Sequence, residues 1–92
     1  MASLSSVFGR SVRVKVLQFL LETPGRLYSQ SEISRQVGCS VSSVGRAIDA
    51  LQRLDLVKVV YLPGQAKVIA LNPESSITTI LLKLREDLKS QP

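Results

Sequence analysis

The sequence predicts a mainly helical α+β domain that contains one small β-hairpin. Apolar residues recur at helical spacing in four segments, and two β-branched runs flank a turn sequence. The length of 92 residues is enough for one modest core and too short for two. Cap and turn residues between the segments give the order α-β-α-α-β-β-α. We therefore treat residues 1–92 as a single domain with a loose N-terminus at 1–7.

The first helix is predicted to follow Ser11, which is a suitable N-cap. Apolar residues recur there at positions i, i+4, i+7 and i+8, as on one face of a helix: Val12, Val16, Phe19 and Leu20. The helix ends at the sequence ETPGR, because Pro24 disfavours helical backbone at Thr23 and Gly25 supplies a turn. Residues 27–29 are short and predict at most a single strand pairing.

Two central helices are predicted on either side of a tight turn at Gly38. The first begins with a capping box, because the Ser29 hydroxyl can accept from the amide of Glu32 while the Glu32 carboxylate accepts from the amide of Ser29. Gly38 suits the position that ends this helix. Ser40 then caps a second helix that runs to about Leu54.

The β-hairpin is predicted from two β-branched runs, Val57–Leu62 and Lys67–Leu71, with the sequence PGQA at its tip. A glycine in such a tip permits the positive φ that these turns often need.

The C-terminal helix is assigned to residues 74–89, with Asn72 as its N-cap and Pro73 at the first helical position. Its apolar residues form a heptad seam two repeats long: Ile77, Leu81, Leu84 and Leu88. The seam is too short for a free coiled coil. Together with the wide apolar face of the first helix, it favours a homodimer over a helix that packs only on its own domain.

The composition argues against an enzyme and favours an anionic partner. The chain has no His, a single Cys and seven scattered carboxylates, and it lacks a phosphate-binding glycine motif, so we expect no catalysis, metal or cofactor. The net charge of +5 suits nucleic acid or a membrane surface. No apolar run approaches the ~20 residues of a membrane span, and the N-terminus does not read as a signal peptide. A cytoplasmic, nucleoid-associated location is therefore expected.

Three stretches of the sequence carry a family resemblance: FGRSVRVKVLQFLLETPG, YSQSEISRQVGCSVSSVGRAIDALQRLDLVK and GQAKVIALNPES. Residues 8–73 resemble a prokaryotic winged helix-turn-helix domain of the ArsR/MarR type. The resemblance implies that 29–37 form a supporting helix, that 40–54 form a recognition helix in the major groove, and that the hairpin is a wing. The function it implies is sequence-specific binding of double-stranded DNA by a small dimeric transcriptional regulator.

The candidate DNA contacts are small hydroxylated and basic residues around the predicted recognition helix. A helix N-terminus in a groove presents free amides to phosphates, and small side chains let the backbone approach closely. Ser40, Ser42 and Ser43 can therefore reach phosphates or bases. Arg46, one turn after Ser42, suits a guanine edge or a phosphate. The weaker candidates are Gln30, Arg35, Arg53, Lys58 and Lys67.

Each of these candidates also has an ordinary structural interpretation. A solvated helix face would explain the serines and arginines, and Asp49 offers Arg53 an i, i+4 ion pair. Cys39 is expected to pack as a small hydrophobe rather than to act as a redox sensor, since no His or second Cys is present to activate it. Gly45 costs about 1 kcal/mol of helix stability relative to Ala, so a steric reason for it is expected.

The sequence departs from the ArsR/MarR pattern at the wing and at the effector sites. The tip PGQA has no Arg, which disfavours insertion into the minor groove and leaves Lys58 and Lys67 to grip phosphate. The metal-binding Cys and His boxes of ArsR sensors are absent, and no small-molecule effector is evident. Two alternatives remain open: a winged-helix adaptor that binds proteins in a transcription or replication assembly, and a non-specific chromosomal DNA-binding protein.

Overall fold

The computed structural model describes residues 11–64 and 67–90, which form four helices and a two-stranded antiparallel sheet. The elements are, in chain order, α1 Val12–Glu22, α2 Gln30–Val37, α3 Val41–Arg53, β1 Val57–Tyr61, β2 Lys67–Leu71 and α4 Ser76–Lys89. This arrangement is a winged helix-turn-helix, and both the α+β class and the predicted order of elements are confirmed. The predicted loose N-terminus and the residues Gln65 and Ala66 of the wing tip lie outside the described residues.

The first three helices begin at the serine caps that the sequence predicts. The Oγ atoms of Ser11, Ser29 and Ser40 each accept a hydrogen bond from the backbone amide three residues further on. Such caps satisfy an amide that has no partner inside the helix. Short-range side-chain chemistry therefore fixes where each of these helices begins.

The predicted start of the last helix is wrong. α4 is capped by Ser75 rather than by Asn72, and Pro73 lies before the helix instead of at its first position. The Asn72 side chain is occupied elsewhere, since its Oδ1 accepts from the amide of Glu74 at 3.2 Å and its Nδ2 donates to the carbonyl of Asp55 at 3.0 Å. Asn72 thus links the segment before α4 to the loop that follows α3.

The core lies where α1, α2 and α3 meet the sheet. Its fully buried aliphatic side chains come from all three helices and from β2: Val16, Leu20, Leu21, Ile33, Val44, Ile48 and Ile69. In the sheet, Val57 lies opposite Leu71 at one end of the ladder. The predicted pairing at 27–29 is a single bridge between Tyr28 and Ile69, whose amides and carbonyls bond each other at 2.7 and 3.0 Å.

The heptad seam of α4 is divided between the domain core and the outer surface. Three of its four residues are partly buried against the core: Leu81, Leu84 and Leu88. Ile77 keeps 46% of its surface exposed and its neighbour Ile80 keeps 64%. The buried Thr78 hydroxyl faces the carbonyl of Leu56 at 3.5 Å. One side of α4 thus completes the domain, and the outer side presents isoleucine to solvent. No helix in the described ranges is long and apolar enough to cross a membrane.

Candidate nucleic-acid interface

A tight turn sets α3 against α2. Gly38 has a φ of +71°, and its amide donates to the carbonyl of Ser34 at 3.0 Å. Glycine adopts this left-handed conformation without steric cost, which is why it ends so many helices. The buried Ser34 hydroxyl donates to the carbonyl of Cys39, and Cys39 itself packs partly buried against the core, as expected for a small hydrophobe. The turn is therefore held from both sides by one serine.

A second contact joins the starts of α2 and α3. The Gln30 side chain, a candidate DNA contact, donates from Nε2 to the carbonyl of Val41 at 2.8 Å. A Cβ atom added at Gly45 would lie 2.7 Å from this same Nε2. The expected steric reason for the glycine is thus a contact between helices, and one N–H of the Gln30 amide is already used inside the protein.

The face of α3 that points away from the core carries the main candidate residues. Ser42 and Arg46 are exposed, whereas the opposite face is buried through Val44 and Ile48. The hydroxyl of Ser43 accepts from Ser40 Oγ at 2.8 Å and from Arg46 Nη2 at 3.3 Å. This chain of hydrogen bonds draws the guanidinium toward the helix start. The predicted reading face therefore reaches solvent, uncovered by any described residue.

The remaining basic candidates differ in their surroundings. Arg35 and Arg53 are exposed, and within the described ranges Arg53 forms no salt bridge with Asp49 or with any other carboxylate. Lys58 on β1 forms an exposed ion pair with Glu74, with Nζ and Oε2 3.8 Å apart. Exposed pairs of this kind contribute only about 0–1 kcal/mol, yet Glu74 places a negative charge beside a proposed phosphate contact.

Residues 13–60, slightly more than half of the chain, match the IclR helix-turn-helix domain. The chain belongs to the IclR helix-turn-helix domain family. The matched segment runs from α1 through α2, the turn and α3 into β1. The comparisons do not confirm the narrower resemblance to ArsR and MarR.

A solved structure supports the same fold for this IclR-type domain. A possible transcriptional regulator from Methanosarcina mazei Go1 superposes with a TM-score of 0.63 and is 19% identical in sequence. The likeness covers 82% of this chain and 66% of that one, so the domain spans about two-thirds of the length of its structural relative. No protein of curated function matches the sequence.

The capping box of this IclR-type domain fixes the start of α2, where Gln30 lies. Glu32 Oε1 accepts from the amide of Ser29 at 3.0 Å, and Ser29 Oγ accepts from the amide of Glu32 at 3.1 Å. These hydrogen bonds lower the pKa of Glu32 below its ordinary value, with smaller contributions from the positive charges of Arg35 and Arg26. The negative charge of Glu32 is therefore part of the cap.

The wing of the IclR-type domain is apolar near its end. Tyr61 is 75% exposed, and its neighbours Val60 and Leu62 are exposed as well. Lys67, a candidate phosphate contact, is partly buried and lies opposite Tyr61 in the hairpin. The wing thus offers one lysine beside an exposed aromatic ring.

One basic residue of the IclR-type domain that the sequence did not single out lies next to the exposed face of α3. Arg13 of α1 lines the same cleft as Ser43 and Arg46 of α3. The position of Arg13 in the helical repeat shows only that its side chain points away from the apolar face of α1. The packing of α1 across α3 is what brings it to this position, and no local sequence signal reports that packing. Within the described ranges, no cluster of His, Cys, Asp and Glu could hold a metal ion.

Proposed function

We propose that the chain is a sequence-specific double-stranded DNA-binding domain that acts as a small dimeric transcriptional regulator. Helix-turn-helix domains place their second helix in the major groove. The observation that carries the proposal is the exposure of Ser42 and Arg46 at the start of α3, the second helix of the helix-turn-helix. The net charge of +5 supports the same assignment, because a basic domain is drawn to the DNA backbone.

Sequence reading is assigned to the start of α3 and affinity to the basic residues around it. Arg46 can exchange its hydrogen bond with Ser43 for two bonds to a guanine edge, the most common specific contact in the major groove. Ser42 and Ser43 are short enough to bond bases or phosphates without holding the helix away. Phosphate contacts position a protein on DNA without reading sequence, and the candidates for them are Ser40, Arg35, Arg53, Lys58 and Lys67.

The test compares Arg46→Ala with Lys67→Ala. Duplexes selected from a random pool by the wild-type chain are titrated with both variants at several salt concentrations. Loss of one good base contact costs roughly 1–3 kcal/mol. Arg46→Ala should therefore weaken binding to the selected duplex and reduce the difference in affinity between sequences. Lys67→Ala should weaken binding to all duplexes alike, and it should reduce the slope of log affinity against log salt concentration by about 0.9. Unchanged duplex binding in both variants would show that these surfaces do not contact DNA.

The dimer proposal rests on apolar surface along α4 and α1. Ile77 and Ile80 are exposed on α4, and a groove of about 260 Å³ runs between α4, α1 and the end of α3. The groove is bordered by Arg13, and its other lining residues are apolar: Val14, Leu17, Leu51, Leu54, Leu56 and Leu81. A second copy would cover this surface, and it would place two recognition helices about 34 Å apart, the spacing of half-sites one DNA turn apart.

A protein-binding adaptor is the second candidate, and the wing is what favours it. Tyr61 and its apolar neighbours are exposed, and the described part of the wing carries no Arg. An adaptor should show little salt-dependent binding to random duplex DNA, whereas a DNA-binding domain should lose affinity steeply as salt rises. A competition experiment distinguishes a non-specific chromosomal protein. For such a protein, unlabelled bulk DNA should displace a labelled selected duplex as effectively as unlabelled selected duplex does.

A further inference from the structure

We infer that the cleft between the start of α1 and the outer face of α3 is a second DNA contact, in which Arg13 binds one backbone phosphodiester beside the base contact of Arg46. The inference rests on the proposed function, and it adds a contact from α1, which lies outside the helix-turn-helix unit. Six residues line the cleft: Ser11, Val12, Arg13, Ser43, Arg46 and Ala47.

The cleft has the size and the lining that a phosphate group needs. Its volume is about 260 Å³, and it is open to solvent on one side. Two arginines from different helices and two serines are among the residues that line it. Guanidinium groups bind phosphate oxygens through paired hydrogen bonds, which makes arginine well suited to this role.

The charge in the cleft is not neutralised within the described part of the chain. No acidic residue is among the six that line the cleft, and neither Arg13 nor Arg46 forms a salt bridge in residues 11–64 and 67–90. Arg46 donates from Nη2 to Ser43, and a guanidinium has further N–H donors to offer. Two unneutralised positive charges at one cleft favour an anionic occupant.

The two serines of the cleft can donate hydrogen bonds to a phosphate and can hold an arginine side chain in position. Ser11 Oγ accepts from the amide of Val14 at 3.2 Å, which leaves its own hydroxyl proton free to be donated to a phosphate oxygen. Ser43 already accepts from Arg46, so it holds one side of the cleft in place. A phosphate is favoured over a base edge for Arg13 because Arg13 lies on α1, whereas the helix that enters the groove is α3.

The test pairs Arg13→Ala with Lys15→Ala as a matched control. Both changes remove one positive charge from α1, but Lys15 is exposed and lines a different cleft together with Glu22 and Gln36. Arg13→Ala should weaken a selected duplex about tenfold, as expected for one charged hydrogen-bonded contact, and should reduce the salt slope by about 0.9. Lys15→Ala should change both by much less, and Arg13→Lys should retain part of the affinity.

A neutral-backbone scan then identifies the phosphate. Single methylphosphonate substitutions are placed along the selected duplex. At one position the substitution should weaken duplex binding by the wild-type chain and by Lys15→Ala, but it should have little further effect on binding by Arg13→Ala. Because Arg13 also borders the apolar groove, the oligomeric state of the variant is measured alongside.

The possible failures are distinguishable. If Arg13→Ala behaves like Lys15→Ala while Arg46→Ala still impairs binding, the cleft is not a phosphate site and the proposed function stands. If the wild-type chain binds no duplex, both proposals are overturned.

Discussion

The side chain of Gln30 bonds the backbone carbonyl of Val41 across the helix-turn-helix, with Nε2 and O 2.8 Å apart. Val41 is the first residue of α3, so this bond links the starts of the two helices. The bond passes over Gly45, whose absent Cβ would lie 2.7 Å from the same nitrogen. Glycine in the middle of a helix is costly, and here it leaves room for a side chain that positions the start of α3.

The effect of Gly45→Ala on stability should therefore depend on whether Gln30 is present. In the wild-type background, the gain of about 1 kcal/mol in helix propensity is offset by the loss of a hydrogen bond worth about 1 kcal/mol. In the Gln30→Ala background only the gain remains, so Gly45→Ala should stabilise by about 1 kcal/mol. Chemical denaturation of the four proteins of this double-mutant cycle measures the coupling.

Gln36→Ala provides the control for this cycle, because Gln36 is an exposed glutamine on the same helix that does not approach Gly45. It should show no coupling to Gly45→Ala. Equal stabilisation by Gly45→Ala in the presence and absence of Gln30 would show that positions 30 and 45 do not interact.

Glu32 should make the stability of the domain depend on pH. Hydrogen bonds from Ser29 lower the pKa of Glu32 in the folded state. Its contribution is therefore fully present above the ordinary carboxyl pKa and is lost as the pH falls through the lowered value. The stability advantage of wild type over Glu32→Gln should be largest near neutral pH and should shrink under acid conditions.

Thermal melts at a series of pH values measure this difference. Glu22→Gln removes one negative charge from an exposed position at the C-terminal end of α1, where the cap is the backbone amide of Thr23 and not the Glu22 side chain, and it controls for the change in net charge. A constant difference between wild type and Glu32→Gln across the acid range would contradict the assigned role.

Local signals in the sequence were sufficient for most of the fold. The caps at Ser29 and Ser40 and the turn at Gly38 depend on groups within five residues of each other, so the sequence displays both partners together. The start of α4 could not be predicted in this way. Asn72 bonds Asp55, 17 residues earlier, and that partner is brought close only by the folded hairpin.

The site shows the same division between local pattern and tertiary packing. Helical periodicity placed Ser42 and Arg46 on the outward face of α3, where the structure has them. The Gln30 amide is instead engaged by Val41 and the Lys58 ammonium group by Glu74, both distant in sequence. Arg13 lies beside the exposed face of α3 because α1 packs across α3. Contacts of this kind require the tertiary structure.

The proposed dimer should depend on Ile80 more than on the other apolar residues of α4. Ile80 is 64% exposed, so it contributes little to its own domain, whereas Leu84 packs partly buried against the core. Ile80→Glu should therefore abolish self-association while keeping the melting temperature of the wild-type chain at concentrations where the wild type is monomeric. Sedimentation equilibrium over a range of concentrations measures the first effect, and thermal unfolding of the same samples measures the second.

Thr79→Glu is the matched control, since it adds the same charge at the neighbouring exposed position of α4. In a dimer that binds two half-sites, each subunit raises the effective concentration of the other. Ile80→Glu should consequently weaken binding to a duplex with two half-sites while leaving binding to a single half-site nearly unchanged. Equal affinity of wild type and Ile80→Glu for the two-site duplex, or a wild-type chain that stays monomeric at its highest soluble concentration, would show that α4 only completes the domain.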